Sequence, residues 1–308
     1  MIKPEIRQDY IHDRAVLVAP SRNQRPHQFI RETSPKSVSR KNCPFCPEQV
    51  NKVKDILTIG PRNNWKIKVI KNIYPIVTLD NPKAYGTQEV VIETPEHDVG
   101  LAELDDQHIE QLIKVYQKRT ADLSKNKKLR YILIFKNFGG RAGASLPHSH
   151  SQIFSTAFLP PHILDKLKRA EEYEIRFGHC YYCDLIKKEK HGLRWIWDDK
   201  YFAAFTPYAS TYNFEAWLIP KRHLDNIALL NQKEVESLAY ILKKLLTKLD
   251  KEDLPYNFYL HQVVEYKEEH VYIRIAPRRD VWAGIELGSR LIVNSVTPEE
   301  AAKFYRKK

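Results

Sequence analysis

Apolar positions along the chain follow two different periods, and the two alternate in order. Strand-like runs occur in "WKIKVIKNIYP", "EVVIETPEH" and "YILIF". Between the second and third, Leu104, Ile109, Leu112, Ile113, Tyr116 and Leu123 recur at helical spacing. A further strand is predicted around "LPHSHSQIF" (146–154), where His148, His150 and Gln152 stand at every second position. In an extended chain these three share one face. The same order then returns. "KYFAAFTP" reads as a strand, and "FEAWLIPKRH" as a strand ending at His223. Next comes a helix with the apolar face Val235, Leu238, Leu242, Leu245 and Leu249, opened by Asn231 with Glu234 three residues on as a capping box. "YNFYLHQ" and "HVYIRIAP", the latter beginning at His270, close the series.

A Cys-x-x-Cys pair heads each series, Cys43-Pro-Phe-Cys46 in the first and Cys180-Tyr-Tyr-Cys183 in the second. Four cysteines and four histidines in one repeated order predict a duplicated unit of roughly 130 residues. The halves are expected at 1–160 and 161–308, with 159–179 as a linker holding a short helix. Paired cysteines in a chain without a secretory signal point to metal before disulfide. Zinc favours four-coordinate cysteine and histidine sites. The predicted ligand sets are Cys43, Cys46, His97 and His148, and Cys180, Cys183, His223 and His270. His179 and His261 are rival ligands in the second set. Closed sites of this kind stabilise a fold. If His148 holds metal, His150 is positioned on the same face and free for chemistry. In the second half Tyr272 takes the place of His150 and Arg274 that of Gln152, so only the first half is expected to react.

Composition narrows the setting. The chain has 308 residues, 43% hydrophobic and 11% aromatic, which suits packed cores in one large or two ordinary domains. The net charge of +12 favours anionic partners. Its basic residues are scattered and not interleaved with aromatics, which argues against a nucleic-acid groove. No apolar stretch approaches the ~20 residues that span a bilayer, and "MIKPEIRQDYIHDR" has no signal core. A soluble cytoplasmic protein is expected.

A neutral imidazole is a nucleophile toward phosphorus and can carry a nucleotidyl group as a phosphoramidate. Such chemistry needs donors around the phosphate oxygens. The stretch "FKNFGGRAGASLPHSHSQ" supplies Gly139, Gly140 and Gly143 for close backbone approach, and Asn137, Ser145 and Gln152 as donors. Arg22 and Arg25 in "APSRNQRP" add a phosphate clamp.

These residues, with "CPFC", "VIKNIYP", "VVIETPEH", "FKNFGGRAGASLPHSHSQIFSTAFLP", "APRRDVWAGIEL" and "TPEEAAKF", resemble the galactose-1-phosphate uridylyltransferase family of the histidine-triad superfamily. The resemblance implies a duplicated histidine-triad α+β fold, with antiparallel sheets and packed helices. It implies a ping-pong reaction on a nucleotide sugar and a sugar 1-phosphate, with His150 as nucleophile and a nucleotidyl-histidine intermediate. By the same resemblance, Gln152 and Ser145 hold phosphoryl oxygens, while Asn137 and the glycines form the phosphate loop. Arg22 and Arg25 match arginines of the N-terminal motif, Asn72 the nucleoside contact and Glu286 the sugar contact. Cys43, Cys46, His97 and His148 match a metal site, and a homodimer is implied. The family's His-Pro-His is here His148-Ser149-His150, and "ELGSRLIVN" lacks the glutamine of galactose-specific members. The second Cys-x-x-Cys is similar to that of the two-zinc ADP-glucose phosphorylase-like branch. UDP-glucose with hexose 1-phosphate is the expected substrate pair. The alternatives are an ADP-glucose or dinucleoside-polyphosphate phosphorylase with the same nucleophile, a hydrolase of the histidine-triad type, and a zinc-stabilised nucleic-acid-binding protein.

Overall fold

A computed structural model describes residues 4–9, 15–20, 39–266 and 269–307. The first half contains β1 (Glu5–Gln8), β2 (Ala15–Val18), α1 (Pro47–Val50), β3 (Asp55–Ile59), β4 (Ile67–Lys71), β5 (Gly86–Ile92), α2 (Asp106–Ser124), β6 (Tyr131–Phe138) and β7 (His150–Thr156). The second contains α3 (Pro161–Phe177), α4 (Tyr181–Glu189), β8 (Trp195–Asp198), β9 (Phe202–Phe205), β10 (Ala216–Pro220), α5 (Gln232–Lys251), β11 (Tyr256–His261), β12 (Tyr272–Pro277), α6 (Gly284–Ser289), β13 (Ile292–Asn294) and α7 (Pro298–Arg306).

Ten strands form one antiparallel sheet in the order β3-β4-β5-β7-β6-β11-β12-β10-β9-β8. Read outward from the β6–β11 seam, the two halves have the same order. The duplication expected from the sequence is therefore visible as an internal two-fold arrangement. Each half carries a register shift in its outermost pair, at Asp55/Leu57 in β3 and at Trp195/Trp197 in β8. A small sheet, β1-β2-β13, ties the start of the chain to its end, with β13 parallel to β2.

One face of the large sheet is covered by α2 and α5. Val69, Val91, Ile134 and Ile153 of the first half share a core with Leu218, Phe258, Leu260 and Ile273 of the second. Leu112 and Ile113 of α2 and Leu238, Leu242 and Leu245 of α5 close it. Each such side chain contributes roughly 1.5–3 kcal/mol on burial. Asn231 caps α5 and forms the predicted capping box with Glu234. The opposite face carries the candidate site.

The segment 159–179 departs from expectation: it forms a helix of 17 residues. Ile163, Leu167 and Ala170 bury one stripe, Pro161 starts the helix, and Gly178 ends it in the left-handed conformation (φ 79°). The strand boundaries also differ. β7 and β12 begin at His150 and Tyr272, two residues after His148 and His270, which stand just outside the sheet.

Candidate functional site

Cys43, Cys46, His97 and His148 converge, all buried, with their ligand atoms within 4.8 Å of one another. His148 Nδ1 lies 3.6 Å from both Cys43 Sγ and Cys46 Sγ, and Cys46 Sγ lies 3.2 Å from His97 Nδ1. Tetrahedral bonds of about 2.3 Å to sulfur and about 2.0 Å to nitrogen set these atoms about 3.5 Å apart, so the cluster fits a metal ion. His148 Nε2 is 2.8 Å from the Thr94 carbonyl. A carbonyl only accepts, so Nε2 bears the proton and the Nδ1 lone pair faces the cluster. The second cluster repeats this geometry. His270 Nδ1 lies 3.9 Å from Cys180 Sγ and 3.6 Å from Cys183 Sγ, and Cys183 Sγ is 3.7 Å from His223 Nδ1. His270 Nε2 donates to the Pro220 carbonyl at 2.9 Å. The rival ligands lie elsewhere: His179 pairs with Asp184 at 3.3 Å, and His261 stacks on Tyr272.

The same tautomer argument applies in reverse to His150. Its Nδ1 is 2.9 Å from the His148 carbonyl and must donate, which leaves Nε2 as a lone pair. Burial, reinforced by the nearby Lys136 charge, lowers the pKa of His150 and favours this neutral form. The Phe45 ring, from between the two cysteines, lies 5.0 Å from the imidazole. Gln152 follows on the same face. Its Oε1 accepts from Gln88 Nε2 (2.7 Å) and Asn72 Nδ2 (3.3 Å), so its own NH2 is left to donate outward. Asn72 is thus bonded to Gln152, two residues from His150 on the same strand. Gln88 was not singled out in the sequence, although it sits two residues from Val90 on the same strand face.

On the helix side lies a network that sequence reasoning missed. Lys136 is 1% exposed and Glu93 0%, and they pair at 2.6 Å. Lys136 Nζ also donates to Ser149 Oγ (2.9 Å) and the His150 carbonyl (3.2 Å), and Ser149 Oγ donates to Glu93 (2.6 Å). Burial alone would raise the Glu93 pKa, but the ammonium and the hydroxyl hold it below the usual value. Ser149, standing where the resembled family has proline, therefore fixes the strand through its side chain. The available signal was Lys136 itself, which follows Ile132 and Ile134 at alternate positions of a core-facing row. Lys136→Met should cost about 3–5 kcal/mol, because it strands the Glu93 carboxylate in the core. Urea unfolding measures this, and an unchanged midpoint would rule out the pairing.

Gly139 leads from β6 into a 3₁₀ turn over Gly140–Ala142. Its φ of 83° and the 2.9 Å approach a Cβ would make to Pro255 both require glycine. Asn137 Oδ1 accepts from Asn257 Nδ2 at 2.8 Å. Ser145 is exposed in the following loop and makes no hydrogen bond to His150 or Gln152 among the described residues. Glu286 is buried at the start of α6 and accepts from the Ala283 amide at 2.8 Å. Arg22 and Arg25 lie outside the described residues. Across the seam, Gln152, Phe135, Tyr259 and Arg274 are successive register partners. Phe135, Tyr259 and Arg274 line a groove of 670 Å3 together with Asn137 and Tyr212, and Gln152 is the register partner of Phe135.

The second half has the same framework with its space filled. Val90 and Ile70 flank Gln152 in the first half, and Trp217 and Phe205 take their register positions beside Arg274. Tyr182 replaces Phe45 and lies 5.3 Å from Tyr272, while Trp217 stacks on Tyr272 at 4.6 Å. Lys166 of α3 places its ammonium 5.2 Å above Tyr272 and pairs with buried Glu269. Arg274 is bound to Glu215 at 2.7 Å.

A family model described as "Galactose-1-phosphate uridyl transferase, N-terminal domain" matches residues 62–160. The chain is 32% identical to a protein of Arabidopsis thaliana named ADP-glucose phosphorylase, over 98% of this chain and 92% of that one. It is 29% identical to a Thermotoga maritima protein named galactose-1-phosphate uridylyltransferase, over 98% of each. The solved structure of an ADP-glucose phosphorylase from Arabidopsis thaliana with bound ADP-glucose superimposes with a TM-score of 0.87, at 31% identity and 99% coverage of both chains. With matches of this extent on top of the duplicated fold and the placement of His150 and Gln152, the chain belongs to the galactose-1-phosphate uridylyltransferase family of nucleotidyltransferases.

Proposed function

We propose that the protein transfers a nucleotidyl group from a nucleotide sugar through a covalent intermediate on His150. The observation that carries this is the Nδ1–H bond of His150 to the His148 carbonyl, which presents Nε2 as an aimed lone pair beside Gln152. Nε2 attacks the α-phosphorus, the bond from that phosphorus to the bridging oxygen breaks, and sugar 1-phosphate leaves with the electron pair. Gln152 and the amides of the Gly139–Gly143 loop take the phosphoryl oxygens, with Ser145, Asn137, Arg22 and Arg25 as further donors. The leaving sugar phosphate occupies the groove bordered by Phe135 and Arg274. An acceptor oxygen then attacks the same phosphorus and the P–N bond breaks. Asn72 contacts the nucleoside and Glu286 the sugar. Residues 1–160 form the reacting repeat; 161–308 form a structural repeat without a nucleophile, which supplies Arg274 and Glu286 to the substrate.

UDP-glucose with a hexose 1-phosphate is the first substrate reading. ADP-glucose with inorganic phosphate is the second, favoured by the 32% identity to the Arabidopsis ADP-glucose phosphorylase. Both clusters hold zinc, which cross-links the chain; the sulfur and imidazole donors suit it. The enzyme acts in the cytoplasm as a homodimer. Exposed Ile73, Tyr74, Ile76, Val281, Trp282 and Leu287 support an interface. Among the described residues, no helix is long and apolar enough to cross a membrane.

Intact mass after incubation with UDP-glucose or ADP-glucose, without acceptor, tests the mechanism. The expected result is one nucleotidyl adduct per chain, mapped to His150 under mildly alkaline conditions. Chasing with hexose 1-phosphate or inorganic phosphate identifies the acceptor. No adduct from either donor would overturn the covalent route.

A further inference from the structure

At the β3–β4 end of the large sheet lies a second polar cavity, half open to solvent, of 550 Å3. Lys52, Lys54, Arg62 and Lys68 line it with Asn51 and Asp55. Lys68 is 3% exposed, and its Nζ makes one hydrogen bond, to Asn51 Oδ1 at 2.7 Å. Asp55, the carboxylate in this lining, accepts instead from Thr58 Oγ1 at 2.5 Å. An ammonium has three donors, so Lys68 keeps donor capacity toward the cavity without a paired carboxylate among the described residues. Burial, aggravated by Arg62 and only partly relieved by Asp55, lowers its pKa, as expected of a buried cation short of counter-charge. Four cations against one carboxylate leave the cavity strongly positive.

We propose that this cavity binds a small ligand carrying two or more phosphates, at a site separate from the reacting histidine. Lys68 and His150 lie in one row of the sheet, each a register partner of Ile92, so two strand spacings of about 5 Å separate them. Ile92 stands between them in that row and packs in one apolar cluster with Trp65 and Val50, and Trp65 faces the Lys68 ammonium at 5.3 Å. Among the described residues no aromatic ring lines the cavity, so they offer no platform for a base. Recognition is by charge and hydrogen bonds, which suits an inorganic oligophosphate or a bisphosphorylated sugar equally. The lining segment, Asn51–Asp55, follows α1, which starts directly after Cys46. A ligand here would brace the strand-to-cluster connection.

The test uses the full metal-loaded chain, with inorganic tripolyphosphate, fructose 1,6-bisphosphate, orthophosphate and ATP as calorimetric probes. Tripolyphosphate or the bisphosphate should bind at one equivalent and at least tenfold more tightly than orthophosphate. The exposed double substitution Lys54→Ala/Arg62→Ala should weaken that binding at least tenfold and leave turnover without added probe unchanged. Lys68→Met, once shown to fold by circular dichroism, should abolish it. Whichever of the two probes binds more tightly identifies the ligand source. Undiminished binding in the double variant would place the anion at the reacting site and sink the proposal, as would no binding by the native chain. ATP binding tighter than tripolyphosphate, and lost in the same variant, would overturn the ligand class.

Discussion

His150→Ala should abolish turnover while the chain stays folded. On the covalent route proposed above, removing the nucleophile leaves no alternative at the same site, so a fall of at least about 10⁴-fold is expected. The structural cost is small by comparison. His150 makes one hydrogen bond through its ring, to the His148 carbonyl, and packs against Phe45, which is worth about 1–2 kcal/mol. It lies outside the two Cys/His clusters, so metal content should be unchanged. Steady-state rates, urea unfolding and metal analysis on one preparation separate these effects. A kcat within tenfold of the native value would remove His150 as nucleophile.

The paired substitutions His148→Ala and His270→Ala should each remove one metal equivalent per chain, with different consequences. Both histidines present Nδ1 to two sulfurs and anchor Nε2 on a backbone carbonyl. Loss of either cross-link should cost about 4 kcal/mol, or roughly 10 °C in Tm. The first cluster is the one linked to His150, because Phe45 lies between its cysteines and against that imidazole. His148→Ala should therefore lose activity along with metal. His270→Ala should keep the adduct-forming step at temperatures where it is folded. Full metal occupancy in His148→Ala would strike it from the ligand set, and an equal loss of adduct formation in folded His270→Ala would show that the second half takes part in the chemistry.

The parts of this architecture legible in the sequence were those with a strong period or a chemically rare residue. The helices around Leu112 and Leu242, the strand "YILIF" and the two Cys/His clusters follow from spacing and from cysteine itself. The short outer strands β3 and β8 were not legible: "DILTI" and "WIWD" lie at sheet edges, half-buried, with their registers shifted. Helix α3 was underestimated because its buried stripe is narrow and one of its buried positions is Lys166, a charge that only its partner Glu269 makes tolerable in a core. Lys136 and Glu93 were hidden for the same reason, since their pairing spans 43 residues. The groove across the seam depends on β6 meeting β11, a contact between halves that no local pattern encodes.

That seam also governs how the molecule behaves toward its own copies. An isolated five-stranded unit would present two open edges, and an open edge is a template for strand addition by another chain. Joining β6 to β11 removes one edge from each half. Among the described residues the two edges that remain, β3 and β8, are short and irregular, each with a bulge-like shift that spoils the flat ladder a neighbouring strand would need. The duplication thus built a long sheet from two units while leaving both of its ends poorly suited to fibrous growth.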